Sequence, residues 1–294
     1  MSRRPGSAAP WPSPAAEARL RAALAARPVG LFSDVDGTLS PIAPTPEAAR
    51  LAPGALDALV ALQPHLAATG LISGREPRDL IRIAPAPGLL YAGNHGFERA
   101  TLDTSGALQV VPIPEAEPWR ATIHEALAAL RAELGQALPG ARFEDKGVTA
   151  SVHVRMAADP ATAERIALAA ARRVARRTRL RVTRGRMIVE LRPPLAMDKG
   201  VVIGALITEF GLRGVIYLGD DRTDMDAFQA LLRLSGASPG FHSASVAVLH
   251  EEAPPGLARA ADVTVAGVAG AVALLRWLAG QAAAHDPGRD QESG

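Results

Sequence analysis

Asp34-Val35-Asp36-Gly37-Thr38-Leu39 is the stretch that decides the fold, because a short apolar run leads directly into it. Val29-Gly30-Leu31-Phe32 is typical of a buried strand, and Gly37 breaks that strand. Two carboxylates therefore lie two residues apart at the carboxyl end of a strand, where open α/β sheets bind ligands. One carboxylate there can act as a nucleophile, a magnesium ligand or both, and the second can act as an acid or base.

Strands and helices alternate on both sides of this stretch. The pattern predicts further short strands at 70–73, 89–92, 215–218, 245–248 and 263–265. It predicts helices at 15–26, 53–66, 77–83, 199–210, 225–234 and 268–278. Strand-helix-strand repeats of this length favour a parallel sheet with right-handed crossovers.

The pattern changes between residues 101 and 192. It predicts a hairpin at 101–114, helices at 119–134 and 160–177, and strand pairs within 143–155 and 180–191. We therefore expect an inserted α+β domain with antiparallel strands inside the parallel-sheet domain. The expected division is an N-terminal tail and leading helix (1–26), a core (27–100 and 193–280), the insertion (101–192) and a disordered C-terminal tail (281–294).

Composition excludes several classes of protein. The 294 residues contain no cysteine, so disulfides and thiolate metal sites are excluded. A net charge of +2 argues against a nucleic-acid partner. We expect no transmembrane helix, since no run approaches 18 to 20 uninterrupted apolar residues, and no secretory signal, which makes the cytoplasm the expected location.

Lysine and asparagine are rare in this chain. Only Lys146 and Lys199 are lysines among 32 basic Lys and Arg residues, and Asn94 is the only asparagine. A guanidinium cannot replace a compact ammonium, so both lysines are candidates for functional positions.

Polar side chains follow four of the predicted strands. They are Asp34 and Asp36, Ser73, Asn94 and His95, and Asp220, Asp221 and Asp224, and Lys199 begins a helix in the same domain. In a parallel sheet these groups converge on one rim, where several carboxylates repel each other unless a cation lies between them. Magnesium, a hard ion with oxygen ligands, is the simplest such cation.

This set of residues suits phosphoryl transfer. Asp34 is ionised at neutral pH and could attack phosphorus, while Asp36 could protonate the leaving alcohol and then activate water. Ser73 and Lys199 offer a hydroxyl and a cation to the phosphoryl oxygens. Taken alone, Asp-x-Asp-Gly is a common turn, and His95 by itself is more often structural than functional. The Arg-rich stretch 172–186 is interpreted as a solvated helix face and turn, in preference to a phosphate or nucleic-acid patch.

The ordered motifs resemble those of the haloacid dehalogenase superfamily of phosphatases: Asp34 to Leu39, Ser73, Lys199, and Gly219-Asp220-Asp221 with Asp224. The finer pattern is similar to the trehalose-6-phosphate phosphatase family over about residues 30–275. It comprises Ser73-Gly74-Arg75, Gly93-Asn94-His95-Gly96, Phe143-Glu144-Asp145-Lys146, His153-Val154-Arg155, Glu190-Leu191-Arg192-Pro193 and Lys199-Gly200.

The resemblance implies a Rossmann-like core with an α/β cap between the second and third motifs. It implies Asp34 as nucleophile, Asp36 as acid/base, and Ser73 and Lys199 as phosphate-holding groups. For Mg²⁺ it implies Asp34, Asp220, the Asp36 backbone carbonyl and a nearby Asp224. The resemblance also implies that the sugar phosphate is bound by the motif residues Arg75, Asn94, His95, Glu144, Lys146, Arg155 and Glu190. One departure is Met225, where the family usually has Glu.

Three functions remain open from the sequence. The first is Mg²⁺-dependent hydrolysis of trehalose 6-phosphate in trehalose biosynthesis, after a separate trehalose-6-phosphate synthase. The second is a phosphatase of another sugar phosphate, such as sucrose phosphate or a mannosyl-phosphoglycerate. The third is a weakly catalytic phosphosugar-binding module, which the intact Asp34, Asp36 and Lys199 argue against.

Overall fold

The computed structural model describes residues 12–185 and 187–284. The predicted N-terminal tail up to residue 11 lies outside the described residues, and so does the predicted C-terminal tail (281–294) from residue 285 onward. Residues 281–284 of that predicted tail belong instead to a helix.

Helices and strands alternate in the order expected for an α/β chain. The helices are α1 (Pro14–Ala25), α2 (Ala55–Leu62), α3 (Pro77–Ile83), α4 (Arg120–Leu134), α5 (Pro160–Thr178), α6 (Lys199–Glu209), α7 (Asp224–Ala237), α8 (Leu257–Ala260) and α9 (Gly267–Ala284). The strands are β1 (Val29–Ser33), β2 (Ala68–Ile72), β3 (Leu90–Gly93), β4 (Glu98–Leu102), β5 (Leu108–Pro112), β6 (Arg142–Asp145), β7 (Ala150–His153), β8 (Arg181–Gly185), β9 (Ile188–Arg192), β10 (Gly214–Gly219), β11 (His242–Leu249) and β12 (Val263–Ala266).

The described residues form two compact units. The first contains residues 12–96, 100–109 and 198–284, and the second contains 97–99 and 110–197. The sequence places residues 101–109 in the insertion and residues 97–99 and 193–197 in the core. The structure groups 101–109 with the first unit and the other two segments with the second. The physical reason for 101–109 is that the parts of β4 and β5 within it continue the sheet of the first unit.

The first unit is built on a sheet with strand order β12-β11-β10-β1-β2-β3-β4-β5. The neighbours from β12 to β3 pair in parallel. Every residue of β1, β2 and β10 is buried, as expected for strands covered by helices on both faces. The carboxyl ends of these strands therefore share one rim, as predicted.

The second unit has a four-stranded antiparallel sheet with strand order β6-β7-β9-β8. Helices α4 and α5 pack on each other and on the sheet, and their buried leucines and alanines share one core with Val152 and Val189. This apolar row alternates with the polar row of Ser151 and Glu190, because successive residues of a strand point to opposite faces.

Several helices differ from the sequence prediction: α2 is shorter than the predicted 53–66, and α7 is longer than the predicted 225–234. The short helix α8 was not predicted, and α9 continues from the predicted end at residue 278 to Ala284. By length and composition alone, α9 could cross a membrane, contrary to the expectation above, with a mean hydropathy of 1.2. This is weak evidence, because core helices of soluble proteins pass the same test. In this structure α9 packs against α2, β11 and β12.

Candidate active site

Asp34 stands at the end of β1, with its backbone fixed by the neighbouring strand. Its N–H donates to the Leu218 carbonyl at 2.9 Å, and its side chain is buried. Gly37 then turns the chain with a φ of +85°, a conformation that glycine adopts without strain. A Cβ at Gly37 would also overlap the Asp220 carboxylate, so glycine allows the two loops to approach closely.

Three buried carboxylates meet at this rim. Asp34, Asp220 and Asp224 each offer an oxygen, and these oxygens lie within 4.8 Å of one another. Burial raises the pKa of Asp34 to about 7, although Lys199 opposes the shift. Several carboxylates thus lie together in a buried place, where desolvation disfavours their charged form. A bound cation would stabilise that charged form.

Lys199 is the cation of the site. It begins α6, which Asp198 caps by accepting from the Val201 N–H at 2.8 Å. Its Nζ lies 3.1 Å from Asp34 Oδ1 and 2.6 Å from Asp224 Oδ1. Burial by itself would lower the pKa of Lys199, but the charges of Asp224 and Asp34 raise it well above its ordinary value. The ammonium is therefore held charged beside Asp34.

Asp224 is surrounded by donors from its own unit. Oδ1 accepts from Lys199 at 2.6 Å and from the Tyr217 hydroxyl at 2.7 Å. Oδ2 accepts from the backbone N–H groups of Asp220 and Asp221, both at 2.9 Å. A carboxylate has about four acceptor positions, so these four hydrogen bonds hold Asp224 in a fixed orientation. In this structure Asp224 therefore organises Lys199 and the loop after β10.

Asp36 lies outside the acidic cluster among the described residues. Its two oxygens accept from Arg75 Nε at 2.6 Å and Arg75 Nη2 at 2.8 Å. The Arg75 guanidinium also binds the Pro46 carbonyl at 3.0 Å and the Asp79 carboxylate. Arg75, predicted to bind substrate, is thus engaged with the predicted acid/base in this conformation, and its substrate contact stays a prediction.

The ends of β2 and β3 form one connected turn. Ser73 is buried, its carbonyl accepts from the His95 N–H at 2.9 Å, and the Arg75 carbonyl accepts from the Asn94 N–H at 2.7 Å. Asn94 and His95 have positive φ angles of 49° and 58°. A Cβ at Gly74 would overlap the His95 ring. The structure therefore brings the predicted residues Ser73, Asn94 and His95 together.

The acidic cluster fits a hard divalent cation. The ligand atoms that it offers to a metal are all carboxylate oxygens, which are the ligands that Mg²⁺ prefers. The cluster holds three carboxylates and Lys199 lies beside two of them, so a divalent cation would offset negative charge there.

A polar row crosses the sheet of the second unit. Glu144, Ser151, Glu190 and Thr183 lie opposite one another on successive strands, so they share one face. Glu190 accepts from Ser151 at 3.3 Å and from Thr183 at 3.4 Å.

Cations flank both glutamates of this row. Lys146 Nζ lies 3.5 Å from Glu190 and 3.9 Å from Glu144. Arg192 Nε donates to Glu190 at 3.1 Å, and His153 Nε2 lies 2.6 Å from Glu144. The structure therefore brings Glu144, Lys146 and Glu190 together.

Arg155 lies outside this polar network. It is half-buried and follows β7.

Several residues in these networks were missed by the sequence analysis. Thr38 donates to Asp220 Oδ1 at 3.0 Å, Tyr217 binds Asp224, and His250 Nε2 lies 2.8 Å from Asp220 Oδ2. His250 directly follows β11, so the rule that polar groups gather at the carboxyl ends of parallel strands could have found it.

Comparison with solved structures shows the fold first. A haloacid dehalogenase-like hydrolase from Bacteroides thetaiotaomicron matches with a TM-score of 0.58 and 14% identity, over 85% of this chain and 98% of that chain. The C-terminal domain of Candida albicans trehalose-6-phosphate phosphatase matches with a TM-score of 0.70 and 21% identity, over 92% of this chain and 99% of that chain. The predicted fold class, a haloacid dehalogenase-like α/β core with an inserted cap, is confirmed.

Comparison of sequences then gives the family. The family model for trehalose-phosphatase matches residues 32–254, and the chain belongs to that family. A trehalose-phosphate phosphatase of Mycobacterium tuberculosis (strain ATCC 25618 / H37Rv) is 37% identical over 239 residues. That match covers 78% of this chain and 56% of the mycobacterial protein, so the chain spans about half the length of this relative. The predicted family is confirmed.

Proposed function

We propose that this chain is a Mg²⁺-dependent phosphatase that converts trehalose 6-phosphate to trehalose and phosphate, as a step of trehalose biosynthesis. Membership of the trehalose-phosphatase family supports the reaction and the substrate. The observation that carries the proposal is the buried Asp34 carboxylate, 3.1 Å from Lys199 Nζ and within a cluster of three aspartates.

Asp34 acts as the nucleophile in this proposal. One of its oxygens attacks phosphorus, the bond between phosphorus and the sugar oxygen breaks, and an aspartyl-phosphate forms. Lys199 and Ser73 hold charge and hydrogen bonds on the phosphoryl oxygens, which gain charge in the transition state.

Asp36 serves both halves of the reaction. It first gives a proton to the leaving sugar oxygen, and it then takes a proton from the water that attacks phosphorus. That attack breaks the bond to Asp34 and releases phosphate. Since both Asp36 oxygens are bound by Arg75 here, Asp36 must leave Arg75 for these steps.

We propose that Mg²⁺ is held by the side chains of Asp34 and Asp220 and the backbone carbonyl of Asp36, with Asp224 adjacent. When bound, the ion offsets the carboxylate charges and polarises the phosphoryl group. Asp224 keeps Lys199 in place beside Asp34, as its hydrogen bonds indicate.

The second unit is proposed to act as the cap that binds the sugar. Its polar row offers carboxylates and cations, which are suitable partners for the many hydroxyls of a disaccharide. Glu144, Lys146, Arg155 and Glu190 are assigned this role, and Arg75, Asn94 and His95 are assigned to the phosphate end. We further propose that the enzyme works in the cytoplasm on substrate supplied by a separate trehalose-6-phosphate synthase.

Phosphate release from a panel of sugar phosphates, with and without Mg²⁺, tests the proposal. The panel contains trehalose 6-phosphate, sucrose phosphate, a mannosyl-phosphoglycerate and glucose 6-phosphate. We expect Mg²⁺-dependent release that strongly favours trehalose 6-phosphate. Preference for another sugar phosphate would move the substrate, and no release from any of them would favour a binding module.

A further inference from the structure

His250 is a histidine at the acidic cluster that the proposed mechanism does not use. It follows β11 at the same rim as Asp34 and Asp220, and its side chain is 20% exposed. Its ring nitrogens have different partners. Nε2 lies 2.8 Å from Asp220 Oδ2, and Nδ1 lies 3.2 Å from the backbone nitrogen of Glu252.

The Glu252 contact determines which nitrogen carries the proton. A backbone N–H can only donate, so Nδ1 of His250 accepts and carries no hydrogen. The neutral ring then has its hydrogen on Nε2, which donates to Asp220 Oδ2. The backbone thus selects the tautomer that serves Asp220.

The Asp220 carboxylate is held at both oxygens. Thr38 Oγ1 donates to Oδ1 at 3.0 Å, and His250 donates to Oδ2 at 2.8 Å. Gly37 leaves the space in which Oδ2 lies, because a Cβ there would overlap it. Donors on opposite oxygens fix the plane of the carboxylate. A neutral donor also leaves the negative charge of Asp220 available to a cation.

We propose that His250 is a positioning residue of the metal centre, which holds Asp220 in the orientation that binds Mg²⁺. This inference rests on the proposed function, since Mg²⁺ is the proposed ion. Outer groups that orient metal-binding carboxylates typically change metal affinity by about 10- to 100-fold when removed.

The test compares three variants of the whole protein by titration calorimetry with Mg²⁺ alone. His250→Leu removes the donor and should weaken Mg²⁺ binding by about 10- to 100-fold. His250→Gln can place an amide N–H near the position of Nε2 and should restore most of the affinity. His242→Leu makes the same change at the exposed opposite end of β11 and should leave the affinity unchanged.

Kinetics separate positioning from a general structural defect. In His250→Leu, we expect the Mg²⁺ concentration for half-maximal phosphate release to rise in parallel with the dissociation constant. The KM for trehalose 6-phosphate at saturating Mg²⁺ should not change. Thermal unfolding of the metal-free variants checks that each one folds.

Two results would overturn the inference in distinguishable ways. Mg²⁺ binding by wild type with equal affinity in His250→Leu, or no recovery in His250→Gln, would remove the role of His250 and leave the phosphatase intact. No Mg²⁺ binding by wild type would remove the metal centre, and this inference with it.

Discussion

The acidic cluster of the first unit and the polar row of the second differ in how their charges are balanced. At the cluster, Lys199 lies beside Asp34 and Asp224, and His250 lies beside Asp220. In the polar row, two glutamates are matched by Lys146 and Arg192, with His153 beside Glu144.

This difference separates two kinds of polar site. A row with matched charges is complete within the chain and can offer donors and acceptors to a neutral ligand. A buried cluster with excess negative charge is incomplete without a cation. The proposed division of labour, with phosphoryl chemistry at the cluster and sugar recognition at the row, follows from that contrast.

The largest expected effect is at Asp34. Asp34→Asn should lower turnover of trehalose 6-phosphate by about 10⁴-fold or more, because the nucleophile is lost. The metal-free variant should be at least as stable as wild type near neutral pH, since it removes one of three crowded carboxylates. Phosphate release and thermal unfolding measure the two effects.

The exposed Asp57→Asn serves as the matched control for Asp34→Asn and should behave as wild type. Full activity in Asp34→Asn would contradict the assignment of the nucleophile.

Substituting each of the two lysines in turn compares the acidic cluster with the polar row directly. Lys199→Met leaves buried Asp34 and Asp224 without their cation, so it should destabilise the fold by about 3–5 kcal/mol and abolish turnover. Lys146→Met should mainly raise KM, by about tenfold, which is the factor expected when one hydrogen bond from a charged group to the substrate is lost. Equal effects of the two variants on kcat would argue against the division of labour.

Mg²⁺ should stabilise the protein more at about pH 8 than at about pH 6. Burial raises the pKa of Asp34 from 3.8 to about 7. Between these values the folded state holds a proton that the unfolded chain has released, so this group's contribution to stability falls as pH rises through that range. At the lower pH, Mg²⁺ must displace that proton.

Melting curves with and without Mg²⁺ at the two pH values measure the difference. Asp34→Asn has no such proton, so its pH dependence should be smaller than that of wild type. Asp224, whose pKa burial raises to about 8, still contributes in that variant. A larger Mg²⁺ effect at the lower pH would contradict the site.

The smallest expected effect is at Met225, in the first turn of α7. Asp224 and Asp226 already place negative charge at this helix N-terminus. Met225→Glu should change the free energy of unfolding by about 0.5 kcal/mol or less, as one further charge near a helix dipole does. Chemical denaturation measures it, and a change in activity beyond about threefold would give Met225 a role that this site does not explain.

The sequence predicted the central elements because local signals were strong there. Helix α3 was predicted with its observed bounds, Pro77–Ile83, since proline marks its start. The hairpin was predicted at 101–114 and placed in the insertion, whereas residues 101–109 group with the first unit, because the local pattern does not show that β4 and β5 continue the sheet after β3.

The gathering of polar residues at one rim of the sheet was predictable from the sequence, whereas their contacts were not. Because polar groups gather at the carboxyl ends of parallel strands, the sequence predicted that Asp34, Ser73 and Asp220 lie at one rim. The sequence pattern could not show that Arg75 binds Asp36, or that Asp224 accepts four hydrogen bonds, because those contacts depend on side-chain directions in three dimensions.

The most direct test of the central claim is to trap the phosphoryl group on Asp34. Asp36→Asn with p-nitrophenyl phosphate suits this purpose, because nitrophenolate leaves without a proton while water activation is impaired. We predict a rapid burst of about one nitrophenolate per site, followed by slow turnover, and acid-quenched protein carrying one phosphoryl group on the peptide that contains Asp34. A burst-free reaction with unmodified Asp34 would contradict the covalent mechanism.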